Sequence, residues 1–151
     1  MTGRGPLLPR LPAVFWQVPY VAARFPGSAA VAERPDLAAG GNCQVFAYEV
    51  LAHFGAARLP ALRSSDLWAD TDATHRVDDI GDARPLDILL FNATADAYGA
   101  HVGVWMADDA VLHLCAEAGR PAVWGLADFA ARARYRVLVG IKRAGPAPRA
   151  T

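Results

Sequence analysis

Cysteine is scarce in this 151-residue chain: there are two, with no Cys-x-x-Cys spacing, so neither a disulfide framework nor a zinc-ribbon pattern is expected and both thiols read as free. An excess of charge is missing as well. Fifteen basic side chains balance fifteen acidic ones and no Lys/Arg run forms a polybasic patch, which argues against nucleic acid and anionic membrane as partners. No stretch approaches the roughly 20 apolar residues of a spanning helix. Met1 to Pro12 carries Arg4 and Arg10 but is interrupted by Pro6, Pro9 and Pro12, leaving no apolar core for a signal peptide. On these grounds the sequence reads as cytoplasmic.

What is present is a composition 54% hydrophobic, ample for one core in a chain of one-domain size. Residues 1–12 read as a flexible Pro-rich lead, 13–143 as a single domain, and 144–151, with Pro146 and Pro148, as a disordered tail. The connection from Pro26 to Gly41 is long for a compact domain, which suggests that it borders a site. From Cys43 the apolar positions Ala47, Val50, Leu51 and Phe54 follow at helical spacing, with Asn42 as N-cap and Gly55 as terminator. A shorter helix is expected from Ser64 or Ser65 towards Asp70, then a polar loop from Asp72 to Arg84. Strands are expected over Leu86–Phe91, Val102–Met106, Val111–Cys115, Ala122–Trp124 and Tyr135–Lys142, with an Ala-rich helix at Leu126–Arg134. Helices first and antiparallel strands after make an α+β pattern.

Three residues carry chemistry. A cysteine opening a helix faces the positive end of the dipole and unpaired N–H groups, which favour thiolate, so Cys43 is a nucleophile candidate; packing on its helix's apolar stripe is the competing role. His101 enters a strand after the Tyr98-Gly99-Ala100 turn, where an imidazole can act as base. Whether His113 meets it depends on the hairpin between them. An odd loop such as Ala107 to Asp109 pairs His101 with Cys115 and His113 with Gly103, setting the imidazoles diagonally on one face; a two-residue Asp108-Asp109 loop sets them on opposite faces. Gly103 favours the first, because a missing side chain leaves room for two rings. Cys115, in mid-strand and without a helix dipole, reads as a small core residue. A zinc site from Cys43, His101, His113 and Cys115 matches no standard spacing, so no metal is expected. His53 and His75 read as structural or solvated, and Arg132, Arg134 and Arg136 as a solvated face.

In its motifs and their order the chain resembles the NlpC-type family of papain-like cysteine peptidases, over roughly Val18 to Ile141. The family's Pro-Tyr step, Asp-Cys-Ser-Gly helix start, Pro-Gly-Asp, His-Val-Gly-Ile-Tyr strand and second His appear here as Pro19-Tyr20, Asn42-Cys43-Gln44, Pro85-Leu86-Asp87, His101-Val102-Gly103-Val104-Trp105 and Val111-Leu112-His113. The resemblance implies Cys43 as nucleophile, His101 as base, His113 as the orienting third residue and Tyr20 near the thiol, assisting the oxyanion. It also implies a papain-like NlpC-type α+β fold, with the Cys-bearing helix packed on an antiparallel sheet of about five strands.

No cofactor is implied, and the partner is a small peptide or acyl amide. Asn42 and Gln44 replace the Asp and Ser that help grip a free amino end in the family, which makes them substrate-binding candidates. Losing a carboxylate that faces an ammonium forfeits about 1.5–3 kcal/mol, enough to move specificity away from the family's γ-D-glutamyl-diaminoacid bond. The expected activity is that of a cysteine peptidase or amidase working through an acyl-enzyme. An acyltransferase on the same scaffold and a non-catalytic binding or toxin-like module are the alternatives.

Overall fold

The helix that begins at Cys43 is defined by its two ends. In the structure, a computed structural model that describes residues 5–148, it spans Cys43–His53. It is the second of four short helices, α1 (Ala29–Glu33), α2 (Cys43–His53), α3 (Ser64–Ala69) and α4 (Leu126–Ala130). The Asn42 side chain accepts from the N–H groups of Gln44 (3.0 Å) and Val45 (2.9 Å), satisfying two of the donors a helix start leaves open. At the far end Gly55 turns left-handed (φ 75°), Ala56 N–H reaches Leu51 O at 2.9 Å and Gly55 N–H reaches Ala52 O at 3.1 Å, a complete Schellman closure.

Phe46, Val50 and Leu51 are fully buried, and α2 packs on one face of the sheet. Each such side chain contributes about 1.5–3 kcal/mol of transfer free energy.

The sheet is antiparallel and six-stranded: β1 (Thr74–Val77), β2 (Ile88–Asn92), β3 (His101–Ala107), β4 (Ala110–His113), β5 (Ala122–Trp124) and β6 (Val137–Ala144), in the order β1-β6-β2-β3-β4-β5. The α+β expectation holds, with one strand more than expected. The extra strand is β1, inside the segment read as a polar loop. Its Thr-His-Arg-Val sequence has no apolar run because it is an edge strand paired only with β6, and its one fully buried side chain, Thr74, donates its hydroxyl to Asp70 at 2.8 Å.

Alternation on β3 divides the core in two. Val102, Val104 and Met106 join α2 in the larger cluster, while Trp105 joins Leu89, Phe91, Phe129 and Tyr135 on the opposite face.

The expected flexible lead is packed over the part described. Gly5–Arg10 forms a 3-10 helix against β3, with Leu7, Leu8 and Leu11 on the larger cluster and Leu11 5% exposed. Prolines suit such turns because their φ is already set, and the leucines between them supply the apolar face. Residues 1–4 and 149–151, parts of the expected lead and tail, lie outside the described residues. Ala144 closes β6, and Gly145 N–H bonds Ala73 O at 2.7 Å.

The long connection after Tyr20 is organised by one guanidinium. Arg24, 7% exposed, donates Nε–H to Gly40 O (2.7 Å), Nη1–H to Ala30 O (3.0 Å) and Nη2–H to the carbonyls of Arg34 and Asp36. Its two ends are tied together: Tyr20 and Gly41 form a parallel bridge, with Val21 N–H on Gly41 O (2.9 Å) and Gly41 N–H on Pro19 O (3.1 Å). This brings Tyr20 beside the start of α2.

Before β2, the Pro85-Leu86-Asp87 step makes a turn with Leu86 at φ 78°, where the resembling family carries glycine. Asp87 N–H returns to Arg84 O (3.0 Å), and the buried Asp87 carboxylate holds Arg143 with two bonds of 2.9 and 2.8 Å. A Cβ at positive φ costs roughly 1–2 kcal/mol. Leu86→Gly is therefore expected to be more stable than Leu86→Ala by about 1 kcal/mol in urea unfolding, the reverse of the order in a helix or strand interior. Equal stabilities would show that the turn relaxes once the leucine is gone.

Candidate active site

The β3–β4 hairpin settles the question of register by a route the two loop models did not contain. Its tip is the even Asp108-Asp109 pair, with Asp109 at φ 52° and Ala107 opposite Ala110, yet the register shifts between Trp105 and Ala107. The bulge at Met106 restores the pairing Trp105↔Val111 and Val104↔Leu112, the register of an odd loop. His101 and His113 consequently share one face, with His101 Nε2 2.9 Å from His113 Nδ1 and ring planes at 80°. Gly103 makes the room: a Cβ there would lie 2.6 Å from Val111 Cγ1 and 3.2 Å from His113 Cβ.

Cys43 and His101 approach the site from opposite faces of the sheet. Cys43, half-buried, belongs to the α2 side, and the backbone N–H of Val102 faces its sulfur from β3, the residue after His101. Both residues line one cleft of about 400 Å³, with Tyr20, Tyr135, Arg63 and Arg134 among its walls. Among the described hydrogen bonds none joins Cys43 to His101. Since Nε2 of His101 is taken by His113, Nδ1 is the ring nitrogen left to the cleft.

Burial dominates the electrostatics. It pushes the Cys43 thiol up to about 11, against the pull of the N–H groups of Val102, Gln44 and Cys43 itself. The expectation that the helix start would favour thiolate is thus corrected: a few N–H dipoles do not offset removal of the sulfur from water. His101 is held well below the usual imidazole value by burial, then by His113 and Arg134. His113 is lowered to about 4 by burial and by Arg132, with Glu117 opposing. The resting pair is therefore neutral thiol and neutral imidazole. Tyr20, which lines the same cleft, is raised by burial and next by Cys43.

The other expected residues are placed as follows. Asn42 borders the cleft, but its Oδ1 caps α2. Gln44 is 2% exposed, and its Nε2 donates to Leu62 O at 3.0 Å, the same carbonyl that accepts from Tyr48. Both amides thus line the cleft while also bonding the framework. Cys115 is buried in the second cluster, its sulfur accepting from Ala118 N–H at 3.4 Å. His113 Nε2 is buried without a partner among the described residues and lies by the Trp124 ring, centroids 4.2 Å apart. No group of three His, Cys, Asp or Glu side chains among the described residues has metal-binding geometry.

Arg63, Arg134 and Tyr135 were not singled out from sequence. Arg134 is exposed, as a solvated face requires, but it also lines the cleft, because the 3-10 turn Ala133–Tyr135 folds back over His101, which nothing in the local pattern shows.

This α+β arrangement, a helix packed on a six-stranded antiparallel sheet, is that of the NlpC/p60 fold. The crystal structure of the NlpC/p60 domain of the peptidoglycan hydrolase SagA is similar to it, with a TM-score of 0.54 over 86% of this chain and 89% of that chain, at 14% identity. At that identity the likeness speaks for the fold alone. No family model matches the chain, and no curated protein matches it. Among the described residues no helix is long and apolar enough to cross a membrane.

Proposed function

We propose that the protein is a cysteine hydrolase of the NlpC type that cleaves an amide bond in a cell-wall-type peptide through Cys43, His101 and His113. The observation that carries this reading is the 2.9 Å contact between the buried His113 and His101, the imidazole that lines the same cleft as Cys43. For His101 to offer a lone pair at Nδ1, its Nε2 carries the proton and donates to His113 Nδ1, which puts the His113 proton on the buried Nε2. His113 then fixes the tautomer of the base, as the third residue of a triad does.

In the reaction, the Cys43 thiol passes its proton to His101 Nδ1 as the sulfur bonds to the amide carbonyl. Tyr20 O–H and the N–H groups at the start of α2 face the oxyanion. The imidazolium then protonates the leaving amine, the C–N bond breaks, and water attacks the thioester with His101 again as base. Because the resting pair is neutral, attack and proton transfer are coupled, and the nucleophile–base contact tightens when substrate fills the cleft.

The test is incubation with peptides bearing γ-glutamyl-diaminoacid amides in H₂¹⁸O, with and without an added amine, read by mass spectrometry. Hydrolysis gives ¹⁸O in the new acid and a product lost in Cys43→Ala. An amine adduct in its place identifies an acyltransferase. The raised thiol pKa favours a second reading, a binding module without turnover, and that reading predicts no product in either condition.

A further inference from the structure

We propose that Arg63 and Arg134 read carboxylate groups on the substrate, so that the cleft takes an anionic acyl amide and does not require a free ammonium. The assignment rests on the hydrolase reading for its biological meaning and on the cleft's own composition for its argument. In a chain with equal numbers of acidic and basic residues, the walls of the Cys43 cleft include two arginines and no aspartate or glutamate. The asymmetry is local, and a cleft with low-dielectric walls concentrates such a field on whatever enters.

The partners of the neighbouring arginines sharpen the point. Arg132 is bound to Glu117 at 2.7 Å and Arg143 to Asp87 at 2.8 Å, while Arg136 donates to Ala93 O at 3.0 Å. Among the described residues no carboxylate forms an ion pair with Arg63 or Arg134, although Glu117 feels the charge of Arg134 and Asp66 lines a groove that Arg63 also borders. Arg63 lies over the Phe25 ring (4.1 Å) beside Ser64, and Arg134 over Tyr135 (5.6 Å), whose ring is 4.8 Å from that of His101. Stacking on a ring holds a guanidinium while leaving its donors directed at a planar anion. Arg134 stands at the reacting end, where it acts on both Tyr20 and His101.

Among the described residues no carboxylate lines the cleft to answer an ammonium. Position 42 is Asn, with its oxygen spent on the helix cap, and Asp66 lines the adjoining groove rather than the cleft. The chemical class indicated is an amide with a carboxylate near the scissile bond and an amino end that is absent or acylated.

The test compares alkylation of Cys43 by iodoacetate and by iodoacetamide, followed by peptide mass spectrometry in the wild type, Arg63→Gln, Arg134→Gln and the double variant. The urea-unfolded chain supplies the reference ratio. The iodoacetate-to-iodoacetamide rate ratio is expected to exceed the reference about tenfold at low salt, to fall about threefold in each single variant, and to approach the reference in the double. A ratio at the reference value in the wild type, or one unmoved by the substitutions, overturns the proposal.

If Cys43 proves inert to both reagents, the His101 ring resonances decide it. They are expected to shift with glutarate and not with glutaramide, and to stop responding in the double variant; equal responses overturn the proposal. Neither readout needs a bond to be cleaved. Turnover without anion preference would sink this assignment and leave the hydrolase standing, and anion preference without turnover would do the opposite.

Discussion

His101→Ala is expected to lower kcat for a cleaved amide by about 10²–10⁴-fold, the usual worth of a positioned general base, with KM little changed. The side chain lies against His113 and Tyr135 at the wall of the cleft, and among the described residues it is the one imidazole lining the cleft with Cys43. His113 acts through His101, so its variants separate orientation from packing. His113→Asn keeps an acceptor for the His101 Nε2–H and should retain most of the rate, whereas His113→Leu keeps the bulk, loses the acceptor and should fall about as far as a mis-set tautomer does.

The pH profile belongs to the same prediction. With His101 held well below 6.5 and Cys43 raised to about 11, the competent neutral pair persists over a wide range, so the acid limb of kcat/KM lies below pH 6.5 and the alkaline limb near 11. A limb near the free-imidazole value that disappears in His113→Leu would show that the site opens to solvent and that burial does not set its chemistry.

Acid should weaken the fold through the same two rings. His113 titrates near 4 when folded and near 6.5 when unfolded, so between those values the unfolded chain takes up a proton that the folded chain refuses. Stability is therefore full above pH 6.5 and falls as the pH drops towards 4. His113 alone accounts for about 3 kcal/mol, a large share of the roughly 5–15 kcal/mol of a whole domain. His101 acts in the same direction.

The depressed carboxyls of Asp70 and Glu117 work in a lower window, below their ordinary values near 4, and do not blur the histidine slope. Urea midpoints measured from pH 7.5 to 4.5 should decline in the wild type and flatten in His113→Leu. An unchanged slope in that variant would place the acid sensitivity elsewhere.

Elements with local punctuation were legible in the sequence. Asn42 and Gly55 bracket α2 because capping and left-handed closure are chemical properties of those residues, and both strands of the His101–His113 hairpin follow from apolar runs. The pairing of His101 with His113 was legible only as one of two alternatives. The decision lay in a bulge at Met106, a residue whose sequence context reads as ordinary strand. The edge strand β1 was hidden because pairing on one side asks little hydrophobicity of it.

Gln44 lines the cleft, as its place after Cys43 suggests, but sequence did not show that its amide also donates inward to Leu62 O. The thiol's electrostatics were misjudged because sequence displays the helix start and conceals the depth of burial. Arg134 could not be placed from its alternating arginine neighbours, since only Tyr135 anchors the turn.

The closure at Tyr20 and Gly41 has a consequence for how this scaffold can change. The excursion between them starts and ends on hydrogen bonds to each other, and its interior is gathered round Arg24 with no bond to the histidines. Doubling such a loop adds only about 0.6 kcal/mol of closure entropy. Segments of other length and composition can thus be exchanged there while Tyr20 keeps its station beside Cys43. None of the described residues from Gly27 to Gly40 lines the Cys43 cleft, so the connection expected to border the site stands back from it, and a library grafted there with carbonyl partners kept for Arg24 would change the surface beside the cleft while leaving its lining as it is.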